Sequence, residues 1–227
     1  MAPGLRLVML GKQGAGKGTQ CVRLSHHYVI PHISTGDMLR AALKAGRSLG
    51  NKVGDAIASG ELLADELVVS MVAERLEQDD TRRRGFVLDG FPRTIEQAKA
   101  LRSLLAPADV DMAVNLTIPT AQVLKRLAGR RVCADCGANY HVTALPKVDW
   151  TCDVCGGEVV QREDDTEDAI RRRLGLYERE TAPLIAWYEE HSRVMSISGV
   201  GSQDTVGARV IRAVDSYLRR RDRSVRK

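Results

Sequence analysis

The sequence predicts an α/β fold built on a doubly wound parallel sheet, with helices on both faces and one small insertion. Three observations carry that expectation. The apolar run Leu5-Arg6-Leu7-Val8-Met9-Leu10 leads directly into Gly11-Lys12-Gln13-Gly14-Ala15-Gly16-Lys17-Gly18-Thr19, a glycine-rich loop that opens a helix, so the sheet is of the P-loop kind. Strand-like and helix-like stretches then alternate, as they do where helical crossovers join parallel strands. Residues 130–163 break the alternation with four clustered cysteines, several glycines and no helical period.

The first strand covers 5–10, where an unbroken apolar run fits burial on both faces. A helix over 17–28 follows the loop, and a short strand spans 31–34. Helical periods continue through 41, over 51–59 and over 66–78. Residues 86–89 form the next strand, 94–105 a helix opening at a threonine, 112–118 a strand and 120–128 a helix. After the insertion, a helix over 167–190, a strand over 194–198 and a helix over 205–220 complete the pattern. The chain thus divides into a core of 1–129 and 164–218, the insertion 130–163 and a basic segment 219–227.

The 227 residues carry a net charge of +5 and a pI of about 9.1. Residues 219–227 alone hold six basic side chains and one acidic; without them, 28 basic residues stand against 28 acidic. The body is neutral, so composition makes no case for nucleic-acid binding, and the basic end reads as a solvated tail. No apolar stretch is long enough to span a membrane, and the chain opens on a strand rather than a signal-type segment. A cytoplasmic protein is expected.

In the loop, successive glycines let backbone N–H groups converge on one point, and the positive end of the following helix aims at the same point, which suits a phosphate. Lys17 adds a charge for β- and γ-phosphates, and Thr19 a hydroxyl close to where Mg²⁺ sits. Gly18, between them, departs from the general G-x-x-x-x-G-K-[ST] form. Residues 85–93, Gly-Phe-Val-Leu-Asp-Gly-Phe-Pro-Arg, end a strand in Asp89 at the carboxyl edge of the sheet, where carboxylates organise Mg²⁺. Arg93 follows a proline and is a positioned guanidinium. Residues 34–40, Ser-Thr-Gly-Asp-Met-Leu-Arg, place hydroxyls and an acid at a helix start, which capping alone explains.

Cys133-x-x-Cys136, fifteen residues, then Cys152-x-x-Cys155 matches a four-cysteine zinc ribbon, closed and therefore structural. Two disulfides are the alternative in an oxidising compartment. Cys21, on the helix after the loop, reads as a small buried hydrophobe. Arginines crowd the insertion: Arg126, Arg130 and Arg131 lead into it, and Arg162, Arg171, Arg172 and Arg173 follow it. Phosphoryl transfer between two nucleotides needs such charges to hold donor and acceptor in line.

With these motifs in register, including STGDMLR from 34, LDGFPRT from 88, GRRVC from 129, REDD from 162 and RRRL from 171, the chain resembles the adenylate kinases of the bacterial long-lid, zinc-bearing type over about residues 5–215. The resemblance implies a core, an AMP-binding region at 34–63 and a LID at 130–163 that closes over ATP. It implies the reaction ATP + AMP ⇌ 2 ADP with Mg²⁺ on the donor. Gly14, Ala15, Gly16, Lys17, Gly18 and Thr19 are then the ATP phosphate cradle, Arg126 and Arg130 ATP-side arginines, and Asn139 and Tyr140 lid contacts to the nucleotide. Thr35, Arg40, Glu61, Leu62, Leu63, Gly90, Phe91, Pro92, Arg93 and Gln97 fall on the AMP side. Arg162 and Arg173 clamp AMP and the moving phosphoryl group, Asp164 and Asp165 form a closing acidic pair, and Asp89 organises magnesium. Lys17, Asp89, Arg93, Arg130, Arg162 and Arg173 are the implied catalytic set, and Cys133, Cys136, Cys152 and Cys155 hold one Zn²⁺.

Two positions depart from the family pattern. Gln13 stands where proline is usual, and Glu61 where a basic residue is frequent. The implied partners are ATP, AMP and ADP, with no membrane or nucleic acid, and the implied state is a monomer. A kinase for another nucleoside monophosphate is the nearest rival, which Thr35 and Gln97 disfavour. A nucleic-acid-binding zinc-ribbon ATPase is the other; Asp135, Asp149, Asp153 and Glu158 against Lys147 leave its ribbon without a basic surface.

Overall fold

A computed structural model of the chain describes residues 4–44, 63–162 and 165–225. Its strands are β1 (Leu5–Gly11), β2 (His32–Ser34), β3 (Gly85–Asp89), β4 (Met112–Thr117), three short strands of the insertion, β5 (Arg130–Cys133), β6 (Asn139–His141) and β7 (Val159–Val160), and finally β8 (Val194–Ser198). Five form a sheet in the order β2-β3-β1-β4-β8, every pair parallel. After β1 the chain crosses to one side of that strand and after β3 to the other, so the carboxyl end of β1 lies at the switch of direction, where open α/β sheets bind ligands.

The helices are α1 (Lys17–Tyr28), α2 (Thr35–Lys44), α3 (Asp65–Leu76), α4 (Asp79–Arg84), α5 (Ile95–Leu105), α6 (Thr120–Ala128), α7 (Glu167–Leu176), α8 (Pro183–Glu190) and α9 (Gln203–Val225). Side chains of a strand alternate between faces. Leu5, Leu7 and Met9 pack with Cys21 and Leu24 of α1 and with Val206, Val210 and Val214 of α9. Val8 and Leu10 pack on the other face with Val72 of α3, Leu101 of α5 and Tyr188 of α8. Both faces are covered, which explains why β1 reads as an apolar run rather than an alternating one. No described helix is long and apolar enough to cross a membrane.

The structure departs from the sequence-based expectations at three places. The single helix expected over 167–190 is two: α7 ends, a π turn spans Tyr177–Thr181, and α8 restarts on Pro183. Proline lacks the N–H an uninterrupted helix needs, and Ala182 N instead donates to the Tyr177 carbonyl at 2.7 Å. The basic end is not a frayed tail through 225, because α9 continues to Val225. There Tyr217 and Arg221, one turn apart, both reach Asp111 Oδ1, at 3.3 and 3.0 Å. The short α4 was not foreseen; Arg75 grips its second residue, Asp80, with two hydrogen bonds of 2.8 and 2.9 Å, which holds that carboxyl down to about 2. The helix expected over 51–59 lies outside the described residues.

The insertion is a three-stranded antiparallel sheet, β6-β5-β7, around a core of only Cys133, Cys152 and Val159.

Candidate active site

The loop between β1 and α1 bends through Gly14 (φ 76°) and Gly16 (φ 99°), left-handed conformations that glycine adopts without a Cβ clash. Gly16 is also the N-cap of α1, so the helix aims its unpaired N–H groups into the loop. Helix α6 closes over the loop from the lid side. A Cβ on Gly14 would lie 2.9 Å from Leu127 Cγ. Arg126 donates to the carbonyls of Ala15 (3.2 Å) and Gly199 (3.0 Å). Lys17, the first residue of α1, folds back to donate to the carbonyls of Gly11 (2.8 Å) and Lys12 (3.1 Å). Thr19 lies half-buried in the same first turn.

Asp89 ends β3 beside β1, paired in register with Met9 on one side and Ser34 on the other. The neighbouring strands thus bring the LDGFPR segment next to the phosphate loop, as the sequence led us to expect. Gly18 gives the contact its closeness: a Cβ there would sit 3.2 Å from Asp89 Oδ2. A side chain at position 18 would crowd this carboxylate, which would have to shift by a few tenths of an ångström. Burial pulls the Lys17 ammonium below its ordinary range, against the Asp89 charge. Burial pushes the Asp89 carboxyl up, but His32, Lys17 and Arg93 outweigh it and hold the group below the usual carboxylate range. Asp89 is an anion at neutral pH.

Past a cis Phe91–Pro92 bond, residues expected on the acceptor side form one connected network. Thr35 Oγ1 donates to the Gly90 carbonyl at 3.0 Å, and Arg93 Nε to the same carbonyl at 2.8 Å. Gln97 accepts from Arg93 N (2.8 Å) through Oε1 and donates to Asp65 (2.7 Å) through Nε2. Thr94 caps α5 through Gln97 N and donates to the other Asp65 oxygen at 2.8 Å. Sequence reasoning missed Asp65, because an acid in the first turn of a helix reads as a dipole partner alone. Arg40 pairs with Asp37, Phe91 is fully buried, and Leu63 packs against the sheet. Glu61, Leu62 and Asp164 lie outside the described residues.

On the lid side, Arg130 and Arg173 both face Asp165, and Arg162 is half-buried where the insertion ends. Asn139 is exposed. The Tyr140 hydroxyl accepts from Asp153 N at 2.8 Å and meets Cys152 Sγ at 3.4 Å.

A sequence model of the adenylate kinase family matches residues 9–193. The chain belongs to the adenylate kinase family. It is 49% identical to an adenylate kinase of Thermodesulfovibrio yellowstonii over 205 residues, 89% of this chain and 95% of the relative. It is 45% identical to one of Acetivibrio thermocellus over 213 residues, 92% and 98% of the two chains, and 46% identical to one of Archaeoglobus fulgidus over 198 residues, 86% and 91%. The phosphate loop, Asp89 and the arginines described above therefore stand on the scaffold of a nucleoside monophosphate kinase.

The four cysteines of the insertion come together within 4.8 Å of one another. Cys133 and Cys155 sulfurs are 3.5 Å apart, and those of Cys136 and Cys152 3.6 Å. Disulfide sulfurs would be at about 2.05 Å, whereas a tetrahedral metal with bonds of about 2.3 Å sets sulfurs roughly 3.8 Å apart. The cluster fits a metal, not two disulfides. The Tyr140 hydroxyl holds the Cys152 thiol down to about 6.

Proposed function

We propose that this chain catalyses ATP + AMP ⇌ 2 ADP, with the phosphate loop as donor site and the Thr35–Gly90–Arg93–Gln97 network as acceptor site. The observation that carries this reading is the convergence of Lys17 and Asp89 under Gly18: an ammonium for phosphate oxygens beside a carboxylate kept ionised. Asp89 with Thr19 would hold the Mg²⁺ of the donor nucleotide, which would supply charge neutralisation for phosphoryl transfer. Lys17 exchanges two backbone carbonyls for phosphate oxygens. Arg93, Arg130, Arg162 and Arg173 orient donor and acceptor in line, and no general base is needed because the transition state is loose. The lid excludes water that would otherwise accept the phosphoryl group.

Cys133, Cys136, Cys152 and Cys155 hold one zinc ion in this reading. With no open position, the ion orders the lid and takes no part in transfer. ADP formation measured with AMP, UMP, CMP and GMP at equal concentration tests the assignment: AMP is the fastest acceptor, and a faster rate with UMP or CMP would overturn it.

A further inference from the structure

Behind Asp89 stands a group of side chains that phosphoryl transfer does not use. Cys21 lies one turn after Lys17 on α1, fully buried and unbonded to another cysteine. His32 opens β2, and its Nε2 is buried without a hydrogen-bond partner, 3.7 Å from Asp89 Oδ2. Ligand atoms of Cys21, His32 and Asp89 all lie within 4.8 Å of one another. A tetrahedral zinc-class ion brings sulfur, nitrogen and oxygen ligands to roughly 3.3–3.7 Å from one another. The His32–Asp89 pair is already at that separation, and the Cys21 sulfur lies within 4.8 Å of both partners.

We infer that Cys21, His32 and Asp89 form a second, inhibitory site for a thiophilic divalent cation, Zn²⁺ or Cd²⁺, at the back of the phosphate loop. A thiolate, an imidazole and a carboxylate are the donor set such an ion prefers, whereas Mg²⁺ takes oxygens alone. An orphaned imidazole nitrogen in a buried place supplies the missing acceptor of a partner. On binding, the Cys21 S–H bond breaks, the proton leaves to solvent and an S–metal bond forms. His32 and Asp89 keep 19% and 16% of their side chains exposed, so the group is open to an ion from solvent. The bound ion withdraws Asp89 from the Mg²⁺ of the donor nucleotide and sets a cation beside Lys17. The inhibition, though not the binding, rests on the magnesium role proposed for Asp89.

Cadmium titration of the nucleotide-free, lid-metallated protein tests this, read by equilibrium dialysis and by the ultraviolet thiolate-to-cadmium band, with Cys21→Ala and His32→Gln variants alongside. Exchange at the lid contributes equally to all three. The wild type binds one more cadmium per chain than Cys21→Ala, and His32→Gln weakens that additional ion by about tenfold or more. The concentration that fills it abolishes ADP formation in the wild type and spares Cys21→Ala. Should the alanine variant fail to fold, Cys21→Val, which refills the apolar volume, replaces it. Equal stoichiometry in wild type and variant overturns the site, and equal inhibition at unequal stoichiometry overturns its effect on transfer. A wild type that binds the additional ion yet forms no ADP from ATP and AMP would instead refute the kinase assignment and leave the cation site standing.

Discussion

Arg130 grips Asp165 with two hydrogen bonds, Nε on Oδ2 at 2.6 Å and Nη2 on Oδ1, and so joins the first residue of the insertion to the segment that leaves it. The Asp165 side chain is fully buried, and Arg173 approaches the same Oδ1 to 3.7 Å. One carboxylate thereby holds two guanidiniums that the kinase reading sends to phosphate. In that reading an incoming nucleotide would compete with Asp165 for them, coupling its binding to the base of the insertion.

Asp165→Ala removes the carboxylate that Arg130 grips with two hydrogen bonds. Removing one partner of a buried pair costs about 3 kcal/mol or more, seen as a lower urea midpoint. The rate of ADP formation falls as well, because Arg130 and Arg173 lose their common anchor. An unchanged midpoint would mean that the base of the lid is held by something else.

Lys17→Met removes the ammonium and keeps the length of the side chain. Transfer slows by about 3 kcal/mol in barrier, as for other preorganised charge donors. The melting temperature does not fall with it, since burial already disfavours the Lys17 charge. Near-normal turnover in the folded variant would move the donor site elsewhere.

Metal analysis of protein purified under reducing conditions returns one zinc per chain, and strong chelation lowers the melting temperature of the lid while the parallel sheet persists. The cluster of Cys133, Cys152 and Val159 is too small a core for an independent fold. Absence of stoichiometric metal would leave the sulfur geometry without a purpose.

Much of the site was legible because its residues are adjacent in sequence. The loop motif and its helical period place α1 at Lys17–Tyr28, and the apolar run before Asp89 places that acid on the strand edge. What escaped depends on contacts between distant segments. Asp65 meets Gln97 across a separation of 32 residues, and no local pattern announces it. The tail misled for a different reason: its arginines suggested solvent, while the spacing of Tyr217 and Arg221 continued the face that binds Asp111.

Arg221→Ala accordingly costs about 1 kcal/mol, since the pair is mostly buried but Asp111 keeps the Arg6 amide as a donor. Deleting 219–227 lowers the melting temperature by the same mechanism. No change in thermal midpoint on deletion would return the segment to a solvated tail.

Helix α9 has 23 residues, a length of about 34 Å at the helical rise. At its start, Asp204 meets Arg23 and the Gln203 carbonyl takes the amide of Gln20, both on α1; midway, Tyr28 at the far end of α1 reaches Asp215 at 2.8 Å. Helix α9 therefore works as a girder bolted along the helix whose tip lies in the phosphate loop, and stiffness beneath that loop is borrowed from a segment about 180 residues away in sequence.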